Sequence, residues 1–218
     1  MTQQHKPIEL YSASTPNGRK ITIMLEELGV PYNMNYVRIS RGDQHKPEFL
    51  AISPNNKIPA IVDPEGPGGE PISIFESGAI LKYLALKFGT LYPADPRQQV
   101  KVDEWLFWQM GGFGPFLGQA HHFIHDAPEK LPYAIKRYKD EAARLYRVLN
   151  GQLEGRDYVA GAYSIADIAI FGWANRHQRH EIVLADYPNV ARWYEAMLER
   201  PAVVRGLAAA EPKPVPAA

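Results

Sequence analysis

The first 90 residues alternate short apolar runs with amphipathic stretches. In the first run Ile8, Leu10 and Ser12 share one face, which is typical of a strand, and Pro64-Glu-Gly-Pro-Gly-Gly69 has the composition of a hairpin turn. The order β-α-β-α-β-β-α predicts a small α/β sandwich whose last two strands are antiparallel. The predicted elements are strand Ile8–Ala13, turn Ser14–Gly18, helix Arg19–Leu28, strand Tyr32–Ile39, short helix Pro47–Ile52, strands Ile58–Asp63 and Ile72–Phe75, and helix Ser77–Phe88.

The pattern changes after Tyr92-Pro-Ala-Asp-Pro96, which has the composition of a linker. Strand patterns almost vanish beyond it, and apolar residues recur at helical spacing. We therefore expect an α/β domain over residues 1–90, a linker over 91–96, an all-helical domain over 97–210 and a loose tail over 211–218. The predicted helices are Arg97–Met110, Leu131–Leu153, Ser164–His177, Pro188–Glu199 and Val203–Ala209, with a Gly/Pro-rich break at Gly111–Pro115.

Charge and cysteine content exclude several kinds of protein. Lys plus Arg and Asp plus Glu both number 24, so the net charge is zero, which argues against a nucleic-acid backbone as the main partner. The absence of cysteine excludes a disulfide scaffold, a cysteine zinc site and a protein-based Cys-x-x-Cys pair. No apolar run is long enough to span a bilayer, and the N-terminus lacks the apolar core of a signal peptide, so we expect a cytoplasmic protein without a membrane partner.

A histidine cluster and a Ser/Asp motif are weaker candidates for a functional site. His121 and His125 have helical spacing and adjoin His122, but no carboxylate completes a metal site, so we expect none. Ser164-Ile-Ala-Asp167 fits a helix capping box and is interpreted as structural. Aromatic residues crowd around the Gly/Pro-rich break, where some are expected in the core and others beside a substrate pocket.

Three motifs in these two halves resemble the glutathione transferases over nearly the whole chain. They are Asn55-Asn-Lys-Ile-Pro-Ala60, Phe75-Glu-Ser-Gly-Ala-Ile80 and Ser164-Ile-Ala-Asp167. The resemblance implies a thioredoxin-like α/β N-terminal domain followed by an all-α C-terminal domain, with glutathione as co-substrate.

A narrower resemblance rests on four separated motifs in the right order. They are Thr15-Pro-Asn-Gly-Arg-Lys20, Ser53-Pro-Asn-Asn-Lys-Ile-Pro59, Trp105-Leu-Phe-Trp-Gln109 and Pro132-Tyr-Ala-Ile-Lys-Arg-Tyr138. These look like the nu-class bacterial enzymes, disulfide-bond oxidoreductases that are similar to the yeast prion-type nitrogen regulator. The resemblance implies a homodimer that reduces disulfides with bound glutathione thiolate instead of a protein cysteine.

The candidate catalytic residues lie in the turn before the first helix. A helix N-terminus with spare N–H donors favours a thiolate. The resemblance assigns sulfur stabilisation to the Thr15 hydroxyl and the Asn17 amide, although turn and capping roles are commoner for both residue types. Ser14 and Tyr11 are the alternatives, because other transferase classes use Ser or Tyr near this turn.

The candidate glutathione-binding residues follow the same resemblance. Ile58-Pro59 is expected to be cis, so that Ile58 pairs with the peptide groups of the ligand as an added strand would. Lys57 is assigned to the glycyl carboxylate. Ser77, at a helix N-terminus, suits the γ-glutamyl carboxylate, and Glu76 suits the ammonium group.

Two further residues complete the predicted site. The resemblance implies that Gln44, in the loop after the second strand, contacts the ligand. It also implies that Arg137, on the long helix, reaches the glutathione of the neighbouring subunit in a homodimer.

Two alternative functions remain open. Conjugation of glutathione to electrophiles, or reduction of organic hydroperoxides, uses the same thiolate and differs only in the second pocket. A non-enzymatic, glutathione-binding regulatory protein belongs to another class, and it is disfavoured because the sequence has no long Asn/Gln-rich stretch like that of the yeast regulator.

Overall fold

The computed structural model describes residues 5–211 and divides the chain into two compact units. The first unit combines the chain up to Phe88 with the segment from Pro201 onward, and the second runs from Gly89 to Arg200. Within the described residues no helix combines the length and the apolar character needed to cross a bilayer.

The first unit contains a four-stranded mixed sheet with strand order β2-β1-β3-β4. β1 and β2 are parallel, whereas β1–β3 and β3–β4 are antiparallel, so the last two strands pair as predicted. The elements are β1 Ile8–Ser12, α1 Pro16–Leu28, β2 Tyr32–Tyr36, α2 Pro47–Leu50, β3 Ala60–Asp63, β4 Ile72–Phe75 and α3 Ser77–Phe88.

Several element bounds differ from the prediction. α1 begins at Pro16, three residues before the predicted Arg19, because Thr15 caps the helix and the fixed φ of proline suits its first position. β3 begins at Ala60 instead of Ile58. Since Pro59 has no N–H to donate to the sheet, it ends the irregular segment before that strand.

The last helix, α9 Pro201–Ala209, belongs with the α/β unit. It packs closely on α1, since a Cβ on Gly206 would come within 2.6 Å of the Ile23 Cα. Arg205 also binds the Glu26 carboxylate of α1 at 2.7 Å. The sequence had grouped this helix with the all-helical domain over residues 97–210, because its spacing does not reveal which unit its apolar face meets. The predicted tail lies outside the described residues except for Glu211.

The second unit is helical, as predicted. The predicted break at Gly111–Pro115 is wrong: the helix continues through a π-helical turn, in which the Gly114 N–H bonds to the Gln109 carbonyl. The wider turn accommodates glycine and proline, so that the backbone does not leave the helix. The α-helices of the second unit are α4 Pro96–Trp108, α5 Gly114–His121, α6 Pro132–Gln152, α7 Ile165–Ala174 and α8 Pro188–Glu199.

α7 forms the centre of the second unit, and nearly all of its residues are buried. The capping box predicted at its start is present, with the Ser164 side chain and the Asp167 carboxylate each bound to backbone N–H groups. Asp167 is fully buried and also accepts hydrogen bonds from the Val159 N–H and the Trp193 indole. This box joins three parts of the unit and has a structural role.

Candidate functional site

Sheet register brings several predicted residues to one edge of the sheet. Tyr11 pairs with Ala60, and Ala60 pairs with Phe75, so the second-last residue of β1 and the last residue of β4 lie beside the first residue of β3. Ser12, at the end of β1, pairs with Tyr36, at the end of β2. The segments that leave or enter the sheet at this edge contain the predicted residues: Ser14 to Asn17 after β1, Gln44 after β2, Lys57 to Pro59 before β3, and Glu76 with Ser77 after β4.

The N-terminus of α1 carries the two candidate catalytic residues. The Thr15 hydroxyl oxygen accepts a hydrogen bond from the Gly18 N–H at 3.1 Å, so its own O–H is able to donate to a ligand. Asn17 lies in the first turn, which contains no acidic residue, and both side chains are partly exposed. The positive end of the helix dipole is therefore not neutralised by a first-turn carboxylate, which favours a bound thiolate.

Gly18 fixes the position of this N-terminus against the end of β1. A Cβ at Gly18 would lie 2.2 Å from the Ala13 carbonyl oxygen and 2.4 Å from the Ser12 hydroxyl oxygen. Only glycine permits that approach, so the first turn of α1 is held at the sheet edge.

The structure distinguishes the two alternative residues from Thr15. Ser14 donates its hydroxyl to the Glu211 carboxylate at 2.6 Å, and Arg19 binds the same oxygen at 2.7 Å. Tyr11 packs beside a small apolar cluster that includes Phe49. Ser14 is thus engaged by the C-terminal segment, and the ring of Tyr11 serves the packing of the sheet.

The segment before β3 has the predicted cis peptide bond between Ile58 and Pro59. The buried Ser53 hydroxyl donates to the Lys57 carbonyl at 2.8 Å and fixes the loop that leads into this bond. Pro59 is buried, Ile58 is half-buried and the Lys57 side chain is exposed. The backbone of Ile58 is therefore held beside the start of β3, and a cation stands next to it.

Gln44 lies in a short 3₁₀ turn, Asp43–His45, after β2. Its side-chain oxygen is buried and has no hydrogen-bond partner among residues 5–211. Because a buried polar atom is normally paired, this oxygen is suited to accept from a ligand.

The N-terminus of α3 is the fourth segment of the candidate site. Glu76 is exposed and has a positive φ of 69°, a conformation that is uncommon for a residue other than glycine. Its carbonyl accepts the first helical hydrogen bond, from the Ile80 N–H, and the next residue, Ser77, is buried. The backbone thus turns sharply at Glu76, while the first turn of α3 contains no acidic residue to neutralise the N–H groups.

Sequence reasoning missed Lys20, which is 1% exposed and donates to the Ser77 hydroxyl oxygen at 3.3 Å. Burial lowers the pKa of Lys20 to about 7, against an opposing effect of the Glu76 carboxylate. The helical periodicity was a usable signal, because Lys20 shares the buried face of α1 with Ile23 and Met24.

Arg137 is exposed on α6, in the second unit. It lines a groove of about 650 Å³ together with Phe116, Tyr138 and Arg144. The charges along this groove are mostly basic, and its walls include aromatic rings.

The histidines show no metal centre. His121 and His125 lie with ring centroids 5.5 Å apart, and His180 is buried beside Trp173. Burial lowers the pKa of His180 to about 3, which keeps this ring neutral. Over residues 5–211 no group of three or more His, Cys, Asp or Glu side chains has an arrangement that could hold a metal ion.

Two family models match the chain. The model described as "Glutathione S-transferase, N-terminal domain" matches residues 15–87, and the model of the corresponding C-terminal domain matches residues 113–201. The chain belongs to the glutathione S-transferase family. The family resemblance and the fold class predicted from sequence are therefore confirmed.

Individual glutathione transferases are similar over nearly the whole chain. The disulfide-bond oxidoreductase YfcG of Escherichia coli is 53% identical over 206 residues, which cover 94% of this chain and 96% of YfcG. A solved glutathione transferase family member from Pseudomonas fluorescens, with two glutathione bound, has a TM-score of 0.88 and 45% identity, covering 92% of both chains. A glutathione transferase from Pseudomonas putida, with one glutathione disulfide bound per subunit, has a TM-score of 0.87 and 46% identity, covering 92% of this chain and 90% of that one.

Proposed function

We propose that this chain is a glutathione-dependent disulfide-bond reductase in which bound glutathione supplies the reactive sulfur. The observation that carries the proposal is the N-terminus of α1. This helix end lies at the sheet edge and its first turn contains no acidic residue. It presents the Thr15 hydroxyl, which is able to donate, and the Asn17 side chain. The sequence has no cysteine, so the sulfur nucleophile has to come from a ligand.

The remaining parts of the sheet edge suit the rest of the glutathione molecule. In the proposed pose the ligand backbone pairs with Ile58, and Lys57 faces the glycyl carboxylate. Ser77 and the N–H groups in the first turn of α3 receive the γ-glutamyl carboxylate, while Glu76 faces the ammonium group. Gln44 offers to a ligand donor its side-chain oxygen, which has no partner within residues 5–211. This orientation directs the cysteinyl sulfur toward Thr15 and Asn17.

The proposed reaction consists of two exchange steps. The glutathione thiolate attacks one sulfur of a substrate disulfide, which forms a mixed disulfide and releases the other half as a thiolate. A second glutathione thiolate then attacks the glutathione sulfur of the mixed disulfide and releases the remaining substrate thiolate, which takes up a proton. Two glutathione molecules are oxidised to glutathione disulfide, and one substrate disulfide is reduced to two thiols.

The comparisons support this choice over other reactions of the family. The relative with 53% identity is named a disulfide-bond oxidoreductase. The solved Pseudomonas proteins contain two glutathione molecules in one case and glutathione disulfide in the other, which correspond to the co-substrates and the product of the proposed reaction. Conjugation and hydroperoxide reduction use the same thiolate and remain the alternatives.

The first experiment compares two activities of one preparation. We expect rapid turnover of bis-hydroxyethyl disulfide with glutathione, and slow conjugation of chlorodinitrobenzene. Fast conjugation with negligible disulfide turnover would contradict the proposal, because it would identify a conventional transferase.

A double variant tests the sulfur site. Thr15→Val with Asn17→Ala removes both proposed donors, and we expect disulfide turnover to fall about a hundred-fold or more, by analogy with the loss of an oxyanion-hole donor. Ser14→Ala is the matched control and should retain most of the activity, since its hydroxyl is bound to Glu211. Unchanged turnover in a folded double variant would remove Thr15 and Asn17 from the mechanism.

A homodimer with shared sites is part of the proposal. Arg137 is exposed beside a partly aromatic groove, which suits an interface that presents a cation to the glutathione of the partner subunit. Arg137→Ala and the Thr15/Asn17 double variant should each be weak alone. If they are unfolded and refolded together, hybrid dimers carry one intact site, and activity should recover to about a quarter of the wild-type level. No recovery, or a monomer in light scattering, would overturn the shared site.

The cytoplasm is the proposed location. Disulfide reduction by this route consumes reduced glutathione, which the cytosol maintains. Cell fractionation with an antibody to the chain would test this location, and recovery outside the cytosolic fraction would contradict it.

A further inference from the structure

A charge pair lies beside the N-terminus of α1, where the glutathione thiolate is proposed to bind. Arg19 Nη2 donates to the Glu211 carboxylate at 2.7 Å and to the Ser14 hydroxyl oxygen at 3.2 Å. Ser14 directly precedes Thr15, whose hydroxyl caps the helix. The pair therefore adjoins the proposed sulfur site, and both of its members belong to the first unit.

Helix geometry directs Arg19 toward this N-terminus. The Arg19 N–H donates to the Thr15 carbonyl at 3.0 Å, so the two residues are one turn apart. Because Cα–Cβ bonds in a helix tilt toward its N-terminus, the Arg19 side chain runs back along α1 and reaches Ser14. A guanidinium is always charged in proteins, so a permanent cation stands at this helix end.

The donors of Arg19 are incompletely used. Its side chain is only 14% exposed, yet the buried Nε has no hydrogen-bond partner within residues 5–211. Glu211 meets the guanidinium through one oxygen, at Nη2, whereas carboxylates frequently bind two guanidinium nitrogens in parallel. A carboxylate that is able to approach both Nε and Nη2 would therefore form a stronger contact.

Glu211 reaches this cation from the end of α9. The backbone there is anchored, since Ala210 is fully buried and its N–H bonds to the Gly206 carbonyl at 3.2 Å. The Glu211 side chain, however, is 52% exposed. Glu211 also takes part in interactions other than those with Ser14 and Arg19. Whichever of these also hold it, its charge lies against the Arg19 guanidinium.

We propose that Arg19 is a specificity-determining residue for disulfides that carry a carboxylate, and that Glu211 weakens this preference by supplying an internal carboxylate. A substrate carboxylate near the reacting sulfur is attracted by Arg19 and repelled by Glu211. The inference rests on the proposed function, because it places the glutathione thiolate at the N-terminus of α1. The bonds that form and break remain those of the two exchange steps.

Three small disulfides that differ in charge test the proposal: dithiodiglycolate is anionic, bis-hydroxyethyl disulfide is neutral and cystamine is cationic. Turnover of each with glutathione gives kcat/KM, and dividing by the value for the neutral disulfide cancels changes in the thiolate itself. Dividing the ratio of each variant by that of wild type then removes the intrinsic reactivity of the substrates.

Two substitutions should change these ratios in opposite directions. Glu211→Gln removes the internal carboxylate, so we expect the dithiodiglycolate ratio to rise about three-fold. Arg19→Gln removes the cation and retains the Glu211 charge, so the same ratio should fall about ten-fold and the cystamine ratio should rise. Arg19→Lys retains a positive charge and should restore most of the preference of wild type.

The Arg205–Glu26 pair provides a matched control, since it also joins α9 to α1 at 2.7 Å. Glu26 lies near the other end of α1, about 16 Å along the helix from Thr15. Glu26→Gln should therefore leave both ratios at the wild-type value. Salt gives a second readout on Glu211→Gln, because screening should bring its raised dithiodiglycolate ratio back toward that of wild type.

The outcomes separate the two proposals. If wild type turns over none of the three disulfides, the proposed function is refuted. If it turns over the neutral disulfide and Glu211→Gln has the same ratios as wild type, only the role of the charge pair is refuted. The same holds if Glu26→Gln changes the ratios as much as Glu211→Gln does.

Discussion

The N-termini of α7 and α1 begin with similar hydroxyl caps but differ in what completes them. At α7 the Asp167 carboxylate is fully buried and accepts from Val159 N–H at 2.9 Å, Trp193 Nε1 at 3.1 Å and Ser164 N–H at 3.1 Å. At α1 the Thr15 hydroxyl caps a first turn without an acidic residue, at an accessible sheet edge. One helix supplies its own anion, and the other is left without one.

The difference shows that a capping motif has no fixed role. Free N–H groups at a helix N-terminus need acceptors, and the chain, water or a ligand can supply them. When a buried side chain does so, the result is structural. When the first turn lacks an acid and remains accessible, the same dipole favours a bound anion, as is proposed for the thiolate at α1 and the γ-glutamyl carboxylate at α3.

The largest effect is expected when the carboxylate that caps α7 is removed. Asp167→Ala leaves buried N–H donors without acceptors, so we expect the free energy of unfolding to fall by about 4 kcal/mol. Urea denaturation followed by circular dichroism measures it. Asp157→Ala, at an 89% exposed side chain, is the control and should change little. A loss below 1 kcal/mol at Asp167 would show that water replaces the carboxylate.

Lys20, the buried cation of α1, should affect the pH dependence of stability. Its pKa is about 7 in the folded protein and about 10.4 when unfolded, so the unfolded chain binds more protons between these values. Wild-type stability should therefore rise from pH 7 to pH 10 relative to Lys20→Met, by about 3 kcal/mol. Urea midpoints of both proteins across this range provide the measurement. Parallel curves would mean that the lysine is solvated in the folded state.

The two cap hydroxyls offer a matched pair of substitutions. Thr15→Val and Ser164→Ala should each lower the free energy of unfolding by about 1 kcal/mol. Only Thr15→Val should also reduce disulfide turnover per folded molecule, about a hundred-fold, since its hydroxyl is proposed to contact sulfur. Parallel urea melts and disulfide assays test the pair, with Thr15→Ser as the variant expected to restore activity. If Thr15→Val and Ser164→Ala had equal disulfide turnover, the proposed functional difference between the N-termini of α1 and α7 would be contradicted.

The smallest expected effect concerns the C-terminal contact at α1. Glu211 binds Ser14 and Arg19, but its side chain is 52% exposed. Glu211→Gln should change the free energy of unfolding by less than about 1 kcal/mol, because solvent and salt screen such a pair. Thermal melts at low and high salt measure it. A larger loss would make this contact an essential part of the α1 N-terminus.

Much of the first unit followed from local sequence. The alternation of Ile8, Leu10 and Ser12 predicted the buried face of β1, and the predicted bounds of β4 and α3 were confirmed. The start of α1 was misplaced, because the segment before Arg19 was interpreted as a turn from its composition. Thr15 and Pro16 in fact form a cap and a first helical position. Local propensity defines such segments well but leaves their ends uncertain.

The helical unit was predicted less completely. A Gly/Pro-rich segment normally indicates a break, and only the observed π-helical turn shows that the helix continues through Gly111–Pro115. The placement of α9 against α1 was also missed. Helical spacing gives the width of an apolar face, but it does not name the surface that the face covers.

The sequence by itself determined the order of the elements, the absence of a protein thiol, and the motifs that indicated the glutathione transferase family. These properties depend on the identity and spacing of residues that are close together along the chain, so the sequence alone reveals them. Only the tertiary structure decided that β1, β3 and β4 align their ends at one edge, that Ser14 meets Glu211, and that the amine of Lys20 lies beneath Ser77. Such contacts join residues far apart in sequence, because strand register and helix packing, and not local propensity, set the distances between them.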